Sequence, residues 1–294
     1  MIGGRSNWKR SGIGWLDSTS IATLWWPAAG LWSLALSNGT AWGHENPDPS
    51  GIEAVSLPSG AVKGTWTTAQ LGLGANSLAV AGSTAYAIGP GQGGDVAVAA
   101  VRLGSSVPEW TTTTGGAGAF TIGGAGIAVG AAGIYAVSVQ TPNFSVVRLD
   151  PGTGRVLARM LVPQVDPKVT AQPLPQVIAD GPNVYVYNNQ THSSSGPPDI
   201  TSRLERLDPP TLQPRAILDA ATDTDWQPDA GGQLDGLVDG TCNVQQYWQV
   251  EASTLRPTIG PVRLPPTDSF EEGPDGPAFF AGTTAADTTV YLLR

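Results

Sequence analysis

The chain has 294 residues, of which 38 are glycine, 25 are proline and only 13% are charged. Glycine and proline are the least favourable residues inside a helix, and the sequence has no sustained apolar stripe at helical spacing. The composition therefore excludes a mainly helical protein and favours a β-protein with many turns. The net charge of −9 argues against a nucleic-acid partner, because an acidic surface repels phosphates.

The N-terminal segment carries Arg5, Lys9 and Arg10, but no apolar run follows them. We therefore predict no complete signal peptide within this sequence, and no stretch is apolar enough for a membrane-spanning helix. We expect a cell-envelope or secreted protein if an export signal lies upstream, and a cytoplasmic one otherwise. The low lysine count, with abundant alanine, glycine and proline, suggests a bacterial source with a GC-rich genome.

A repeated pattern begins at Ser33 and returns at Ser77, Gly126 and Gln176. Each copy reads as an apolar strand, a tight turn and a second strand with an aromatic residue, followed by a second hairpin. We expect these aromatic residues to pack between neighbouring units; they are Trp42, Tyr86, Tyr135 and Tyr185, with Trp66 and Trp110 marking the fourth strands of the first two units. Weaker copies begin near Asp235 and Pro277.

Four-stranded units that repeat every 42 to 59 residues are typical of propeller blades. We predict a single all-β domain, a six-bladed β-propeller of four-stranded antiparallel blades, and prefer six blades to seven. The predicted blades are 33–76, 77–125, 126–175, 176–234 and 235–276. The last is shared by the two ends of the chain, 277–294 and 1–32, and this sharing would leave no open sheet edge in the ring.

The third and fourth units also resemble a known family. Val146–Leu157, with its turn Asp150-Pro-Gly-Thr-Gly, and Tyr185–Asn188 with Leu207–Thr211 are similar to the repeats of YVTN-type and quinoprotein-like β-propellers. The resemblance implies the fold and leaves the function open, because propellers serve many unrelated functions.

Long connections mark one face of the predicted propeller as the binding face, because function concentrates in long loops. They follow the second strands at His44–Gly51, Gly89–Asp95, Gln140–Phe144 and Asn188–Thr201, and they join blades at Val162–Pro175, Asp219–Gln233 and Pro265–Gly276. Carboxylates are frequent there and favour a cation or a basic peptide. Trp226, among them, would suit sugar stacking or cation recognition. The predicted ligand-binding residues are His44, Glu45, Asp223, Asp225, Trp226, Asp229, Glu271 and Glu272.

One cysteine, Cys242, and two histidines, His44 and His192, exclude an internal disulfide and a zinc site built from several of these residues. We predict no cofactor; Ca²⁺ is the one ion considered, because Asp223–Asp229 begins like a calcium loop but lacks its glycine and final glutamate. We predict a monomeric, non-catalytic binding or scaffold module for a protein, peptide or small molecule. The alternatives are a carbohydrate hydrolase or lyase, a quinoprotein-like dehydrogenase working at the channel mouth, or a sugar-binding lectin.

Overall fold

Short strands joined by turns form most of the described backbone in this computed structural model. The described part has one helix, α1 (Thr68–Leu71), a single turn capped by Thr67 and Gln70. The structure describes the backbone of residues 2–6, 10–16, 21–25, 31–45, 51–57, 59–117, 126–140, 143–163, 174–191, 200–220, 224–229, 231–238, 245–264, 269–272, 278–283 and 288–292. Side chains are described within 35–44, 51–57, 59–116, 126–138, 143–163, 175–188, 202–219, 226–229, 231–236 and 246–262.

Within the described backbone, 26 strands form seven antiparallel sheets whose strands pair in chain order. Five sheets have four strands each, and we number them I to V. Sheet I contains β4 (Leu31–Ser37), β5 (Thr40–Glu45), β6 (Ile52–Ser56) and β7 (Val62–Trp66). Sheet II contains β8 (Ser77–Ala81), β9 (Thr84–Pro90), β10 (Asp95–Arg102) and β11 (Trp110–Ala117). Sheet III contains β12 (Ile127–Gly130), β13 (Gly133–Gln140), β14 (Asn143–Leu149) and β15 (Val156–Val162).

Sheets IV and V follow in the same way. Sheet IV contains β16 (Leu174–Asp180), β17 (Asn183–Thr191), β18 (Ile200–Leu207) and β19 (Pro214–Ala220). Sheet V contains β20 (Thr224–Pro228), β21 (Gln233–Val238), β22 (Gln245–Glu251) and β23 (Pro257–Leu264). The N-terminal sheet contains β1 (Ile2–Ser6), β2 (Arg10–Leu16) and β3 (Ile21–Trp25), and the C-terminal sheet contains β24 (Ser269–Glu272), β25 (Ala278–Thr283) and β26 (Thr288–Leu292).

The first strand of each numbered sheet packs against the first strand of the next, in the order β4, β8, β12, β16 and β20. Four apolar clusters fill the spaces between consecutive sheets, and each takes residues from both neighbours. Antiparallel four-stranded sheets that meet face to face through their first strands form a β-propeller. This confirms the predicted all-β propeller of four-stranded blades.

Tyrosines join sheet III to sheet IV and sheet IV to sheet V. The phenol of Tyr135 donates a hydrogen bond to the backbone carbonyl of Pro209 at 3.4 Å, and that of Tyr185 donates to Ala252 at 2.8 Å. Both carbonyls lie in the turn between the third and fourth strands of the following sheet. Burial raises the pKa of Tyr185 to about 12, so its phenol remains a donor at neutral pH.

Tryptophans make the same connection from sheets I and II. The indole of Trp66 donates to the carbonyl of Ser105, and that of Trp110 donates to the carbonyl of Pro151, both at 3.0 Å. Trp42 stacks on Trp66, with ring centroids 5.7 Å apart, and Tyr86 lies 6.0 Å from Trp110. The predicted packing of the repeat's aromatic residues between units is therefore confirmed, because each contributes to contact with the next sheet.

The last two units begin earlier than the repeat pattern indicates. Asp235 lies in β21, the second strand of sheet V, and Pro277 directly precedes β25, the second strand of the C-terminal sheet. The strand that the sequence failed to reveal is β20, which reads Thr-Asp-Trp-Gln-Pro and has few residues that favour strands. Within 277–294 the structure describes two strands, β25 and β26, and the third strand of this sheet, β24, comes before Pro277.

The ends of the chain form two separate three-stranded sheets in the described backbone, and the pairings given there do not join them. A blade shared by both ends is therefore not seen as one sheet, and the predicted number of six blades is not confirmed. The propeller architecture itself rests on sheets I to V.

Candidate functional site

The two faces of the propeller differ in their connections. The first strand of each numbered sheet ends in a hairpin turn, and the third strand ends in a second turn on that same side, the turn face. Connections from the second to the third strand and from one sheet to the next leave the opposite side, the loop face. Several of these are long, including 163–173 and 192–199.

Acidic side chains on the turn face serve as caps for their own turns. The hydroxyl of Thr153 donates a hydrogen bond to the Asp150 carboxylate at 2.8 Å and lowers the pKa of Asp150. The hydroxyl of Thr211 donates a hydrogen bond to the Asp208 carboxylate, and so does the guanidinium of Arg215 at 3.0 Å. The Thr211 bond and then the Arg215 bond lower the pKa of Asp208. Thr254 and Ser253 lower the pKa of Glu251. These carboxylates organise turns and are committed to them.

Two predicted ligand-binding residues lie elsewhere than the sequence indicated. Trp226 lies in strand β20, paired with Gly236, and only 2% of its surface is exposed. Its placement in an acidic loop is therefore wrong, because the ring belongs to the apolar cluster between sheets IV and V. Asp229 lies in the hairpin turn after β20, on the turn face, where its carboxylate accepts the backbone N–H of Gln233 at 2.7 Å.

The remaining predicted residues are spread over several elements. His44 lies within β5 and is buried, so it is a strand residue rather than a loop residue. Glu45 is the last residue of β5, Asp225 lies in β20, and Glu271 and Glu272 lie in β24. The structure describes the backbone of these four residues but not their side chains. Asp223 lies outside the described residues altogether. Their binding role stays a prediction.

Sheets III and IV enclose a polar group that the sequence did not indicate. Asn188 in β17 is directly opposite Arg203 in β18, and Arg203 is opposite Asp219 in β19. Glu205 is paired with Val186, and Val186 belongs to the apolar cluster shared by sheets III and IV. Because paired residues share a face of the sheet, these side chains face sheet III. We call Asn188, Arg203, Glu205 and Asp219 the III–IV notch.

Burial dominates the electrostatics of this notch. Asn188 is 2% exposed and Glu205 is 6% exposed. Burial raises the pKa of the Glu205 carboxyl, and the positive charge of Arg203 opposes that shift. Arg203 itself is held by Asp219, with Nε and Oδ1 separated by 2.6 Å. A sequence signal for this group does exist: Arg203 and Glu205 are charged residues at alternate positions of β18 and therefore lie on the same face of the sheet.

A second buried carboxylate occupies the place of a repeat aromatic. Asp235 in sheet V corresponds to Tyr185 in sheet IV, since each is the third residue of its second strand. Its carboxylate accepts hydrogen bonds from the Tyr247 hydroxyl at 2.7 Å and the Gln249 amide at 3.1 Å. Burial raises the pKa of Asp235, and these two donors partly offset the shift. The bonds satisfy this acid within sheet V.

The described side chains do not bring together three or more histidine, cysteine or acidic residues in a way that would hold a metal ion. Among the described residues, no helix is long and apolar enough to cross a membrane. The described side chains of the III–IV notch offer hydrogen-bond acceptors and charged groups.

Comparison with known proteins supports the fold. No protein-family model matches the sequence, and no curated protein is similar to it. Among solved structures, a chain of the mitotic checkpoint complex aligns with a TM-score of 0.61 at 12% identity, covering 97% of this chain and 82% of that one. The β-propeller domain of the Trilobed protease from Pyrococcus furiosus aligns with a TM-score of 0.56 at 8% identity, covering 90% of this chain and 82% of that one.

Quinohemoprotein alcohol dehydrogenase from Comamonas testosteroni aligns with a TM-score of 0.50 at 11% identity. The alignment covers 84% of this chain and 45% of the dehydrogenase, so the chain spans less than half of that protein's length. At these identities the likeness concerns the fold alone, and no match singles out the YVTN-type repeat. The chain is thus a β-propeller by its own sheet packing and by its similarity to other propeller structures.

Proposed function

We propose that this propeller is a non-catalytic binding or scaffold module that takes a basic peptide or protein segment on its loop face. The observation that carries the proposal is the charge of the connections on that face. By sequence, the loop-face connections that leave sheets I to V contain six aspartates, against Lys168 as the single lysine or arginine; the positions of these residues lie outside the description: Asp48, Asp166, Asp199, Asp223, Asp239 and Asp268. A surface lined by one sign of charge attracts and orients ligands of the opposite sign.

The turn face is the poorer candidate for recognition. Its turns are short, and Asp150, Asp208 and Glu251 are engaged with hydroxyl groups or an arginine of their own turns. Groups that already cap a turn must give up those bonds before they can bind a partner. Several connections at the opposite face are longer, and by sequence they contain the six aspartates given above.

We also propose that the propeller closes as a ring of six blades, with the N-terminal and C-terminal sheets meeting at the junction. The two end segments differ in charge: 1–32 contains Arg5, Lys9 and Arg10 with one acid, and 265–294 contains five acids with one arginine. Opposite charges favour their association. The contrasting outcome is a propeller whose two ends do not share a blade; the Pyrococcus furiosus domain is described as having an open velcro topology.

Deletion of residues 1–26 tests the closure. A ring sealed by the N-terminal sheet loses cooperative thermal unfolding when that sheet is removed, because the remaining blades have an exposed interface. Unfolding that keeps its midpoint and its cooperativity would contradict closure through this segment. Circular dichroism and differential scanning calorimetry provide the two independent signals.

The binding proposal is tested with a fluorescent oligolysine peptide. Changing Asp48, Asp199, Asp223 and Asp268 to Asn should weaken binding and flatten its dependence on ionic strength between about 0.01 M and about 0.15 M, where the Debye length falls from about 30 Å to about 8 Å. The matched control removes four charges from the turn face instead, at Glu109, Asp150, Asp208 and Asp229. Equal weakening by both variants would show a response to net charge alone and would refute the loop face as the site.

A further inference from the structure

The III–IV notch contains a buried hydrogen-bond acceptor without a partner, the side-chain oxygen of Asn188, and beside it Glu205, a residue that is 6% exposed. The side-chain oxygen of Asn188 is buried and has no hydrogen-bond partner, while its amide nitrogen makes only a long contact of 3.5 Å with the Pro163 carbonyl. Glu205 lies one row further along the sheet, on the same face. Diagonal neighbours of this kind are about 7–8 Å apart between backbone positions, so one small group can reach both.

The positive charge of Arg203 acts on Glu205, but it gives neither acceptor a hydrogen bond. Arg203 is directed to Asp219 through a short ion pair, and among the described residues no donor forms a hydrogen bond with the Glu205 carboxylate. The notch therefore carries two carboxylates and one guanidinium, a net charge of −1 when all three are ionised. A buried amide oxygen without a donor is costly, burial also disfavours the ionised form of Glu205, and a bound cationic donor would relieve both costs.

We propose that the III–IV notch binds a primary ammonium group, such as the side chain of a lysine on a basic partner. An ammonium has three N–H donors and one positive charge, which match the Glu205 carboxylate, the Asn188 oxygen and the Pro163 carbonyl and neutralise the notch. This inference rests on the proposed binding function and names the chemistry that the partner presents. Burial raises the pKa of Glu205, and a bound ammonium would lower it by favouring the ionised form.

Other ligands fit these groups less well. A guanidinium is planar and prefers a carboxylate that it can approach side on, and Arg203 already supplies one guanidinium to Asp219. A calcium ion needs six to eight oxygen ligands, more than the notch offers, and no three acidic or histidine side chains converge among the described residues. An anion would meet two carboxylates. The notch is thus selective for a compact monocation that donates hydrogen bonds.

The experiment uses Nα-acetyl-lysine amide as the probe and its Nε-acetylated form as the neutral counterpart. Binding is followed by two-dimensional NMR of the isotope-labelled protein, with the Asn188 side-chain amide and the backbone of β17 and β18 as reporters. We expect saturable shifts at these positions with the charged probe. An equal response to the acetylated probe, or the lack of any saturable shift, would overturn the proposal.

Substitutions locate the site. Glu205→Gln keeps the shape of the side chain and should weaken binding about tenfold or more, because a charged hydrogen bond is replaced by a neutral one. Asn188→Asp adds a negative charge and should strengthen binding, a gain that a misfolded variant would not give. Unchanged affinity in both variants would overturn the assignment.

The chain provides a matched control for Glu205. Glu53 in sheet I is paired with Gly43, the residue after the repeat aromatic, just as Glu205 is paired with Val186, and both glutamates are 6% exposed. Glu53→Gln should leave probe binding unchanged, and a similar loss there would overturn the notch as the site. If the notch variants have no effect while the four loop-face changes still weaken oligolysine binding, this inference fails and the proposed function stands.

Discussion

Replacing Gly154 by alanine tests how much the contact between neighbouring sheets stabilises the propeller. Gly154 ends the turn between β14 and β15 with a φ of +68°, and the indole of Trp110 from sheet II lies against it. A Cβ at this position would be 2.6 Å from Trp110 Cδ2 and 2.6 Å from Thr112 Oγ1. The methyl group therefore meets both a backbone restriction and two side chains of the preceding sheet.

The two effects can be separated with Gly82. This residue also has positive φ, +59°, but a Cβ there would have no atom within 4 Å. Alanine in the left-handed region costs about 1–2 kcal/mol at either position. Forcing a methyl group into a packed contact adds about 1–3 kcal/mol at Gly154. We expect Gly154→Ala to lower the free energy of unfolding by about 2–5 kcal/mol, the sum of both costs. Gly82→Ala should lower it by only the backbone cost of about 1–2 kcal/mol.

Urea unfolding of the two variants and the wild type measures this difference. With a slope of about 3 kcal/mol per molar urea, the excess cost of Gly154→Ala corresponds to a midpoint shift of about 0.3–1 M relative to Gly82→Ala. Removing the ring with Trp110→Ala should make the second substitution at Gly154 less costly than it is alone. Equal effects of the two glycine changes, or strict additivity with Trp110→Ala, would refute the packing argument.

Three further outcomes are expected from the contacts described above. Tyr185→Phe should destabilise the protein by about 1 kcal/mol in urea unfolding, because the 2.8 Å bond to Ala252 is lost, whereas Tyr135→Phe, with its 3.4 Å contact, should cost less. Burial raises the pKa of Glu205 above its ordinary 4.5, so the folded protein favours the protonated carboxyl. Stability should therefore fall as the pH rises through and above 4.5. Glu205→Gln should remove this part of the pH dependence of the melting temperature. Burial also raises the pKa of Asp235 above its ordinary 3.8, so Asp235→Asn should remove a similar loss of stability that begins above pH 3.8. An unchanged pH profile of the melting temperature in either variant would contradict burial of the carboxyl as the cause.

Sequence periodicity was sufficient for the first four units because their strands are apolar and their aromatic residues recur at one position. That position has a physical basis, since Tyr135 and Tyr185 must reach the turn of the next sheet. The fifth unit escaped the pattern because Asp235 replaces the aromatic and β20 contains aspartate, glutamine and proline. Its first strand is fixed by pairing with β21 and by burial of Trp226, which are tertiary effects.

The candidate site was harder to infer from the sequence than the fold. Long acidic connections are visible in the sequence, but the side of the propeller that each one occupies depends on which strands flank it. Asp229 lies on the turn face because it follows β20, a strand that the repeat pattern does not indicate. The notch depends on register across β17, β18 and β19, because a shift of one residue would turn Glu205 away from sheet III. This register is fixed by the hydrogen-bonded pairing of the three strands and cannot be inferred from the sequence of β18 alone.

The position of the notch explains how the propeller tolerates buried charge between two blades. Across the same interface, Tyr135 bonds to Pro209 near the turn face and Asn188 contacts Pro163 near the loop face. An apolar cluster that includes Val146 and Val186 fills much of the space between these contacts. The blades are therefore held at both ends of the interface, so Glu205 need not stabilise their packing. This leaves the Glu205 carboxylate and the Asn188 side-chain oxygen available to the ammonium group proposed above.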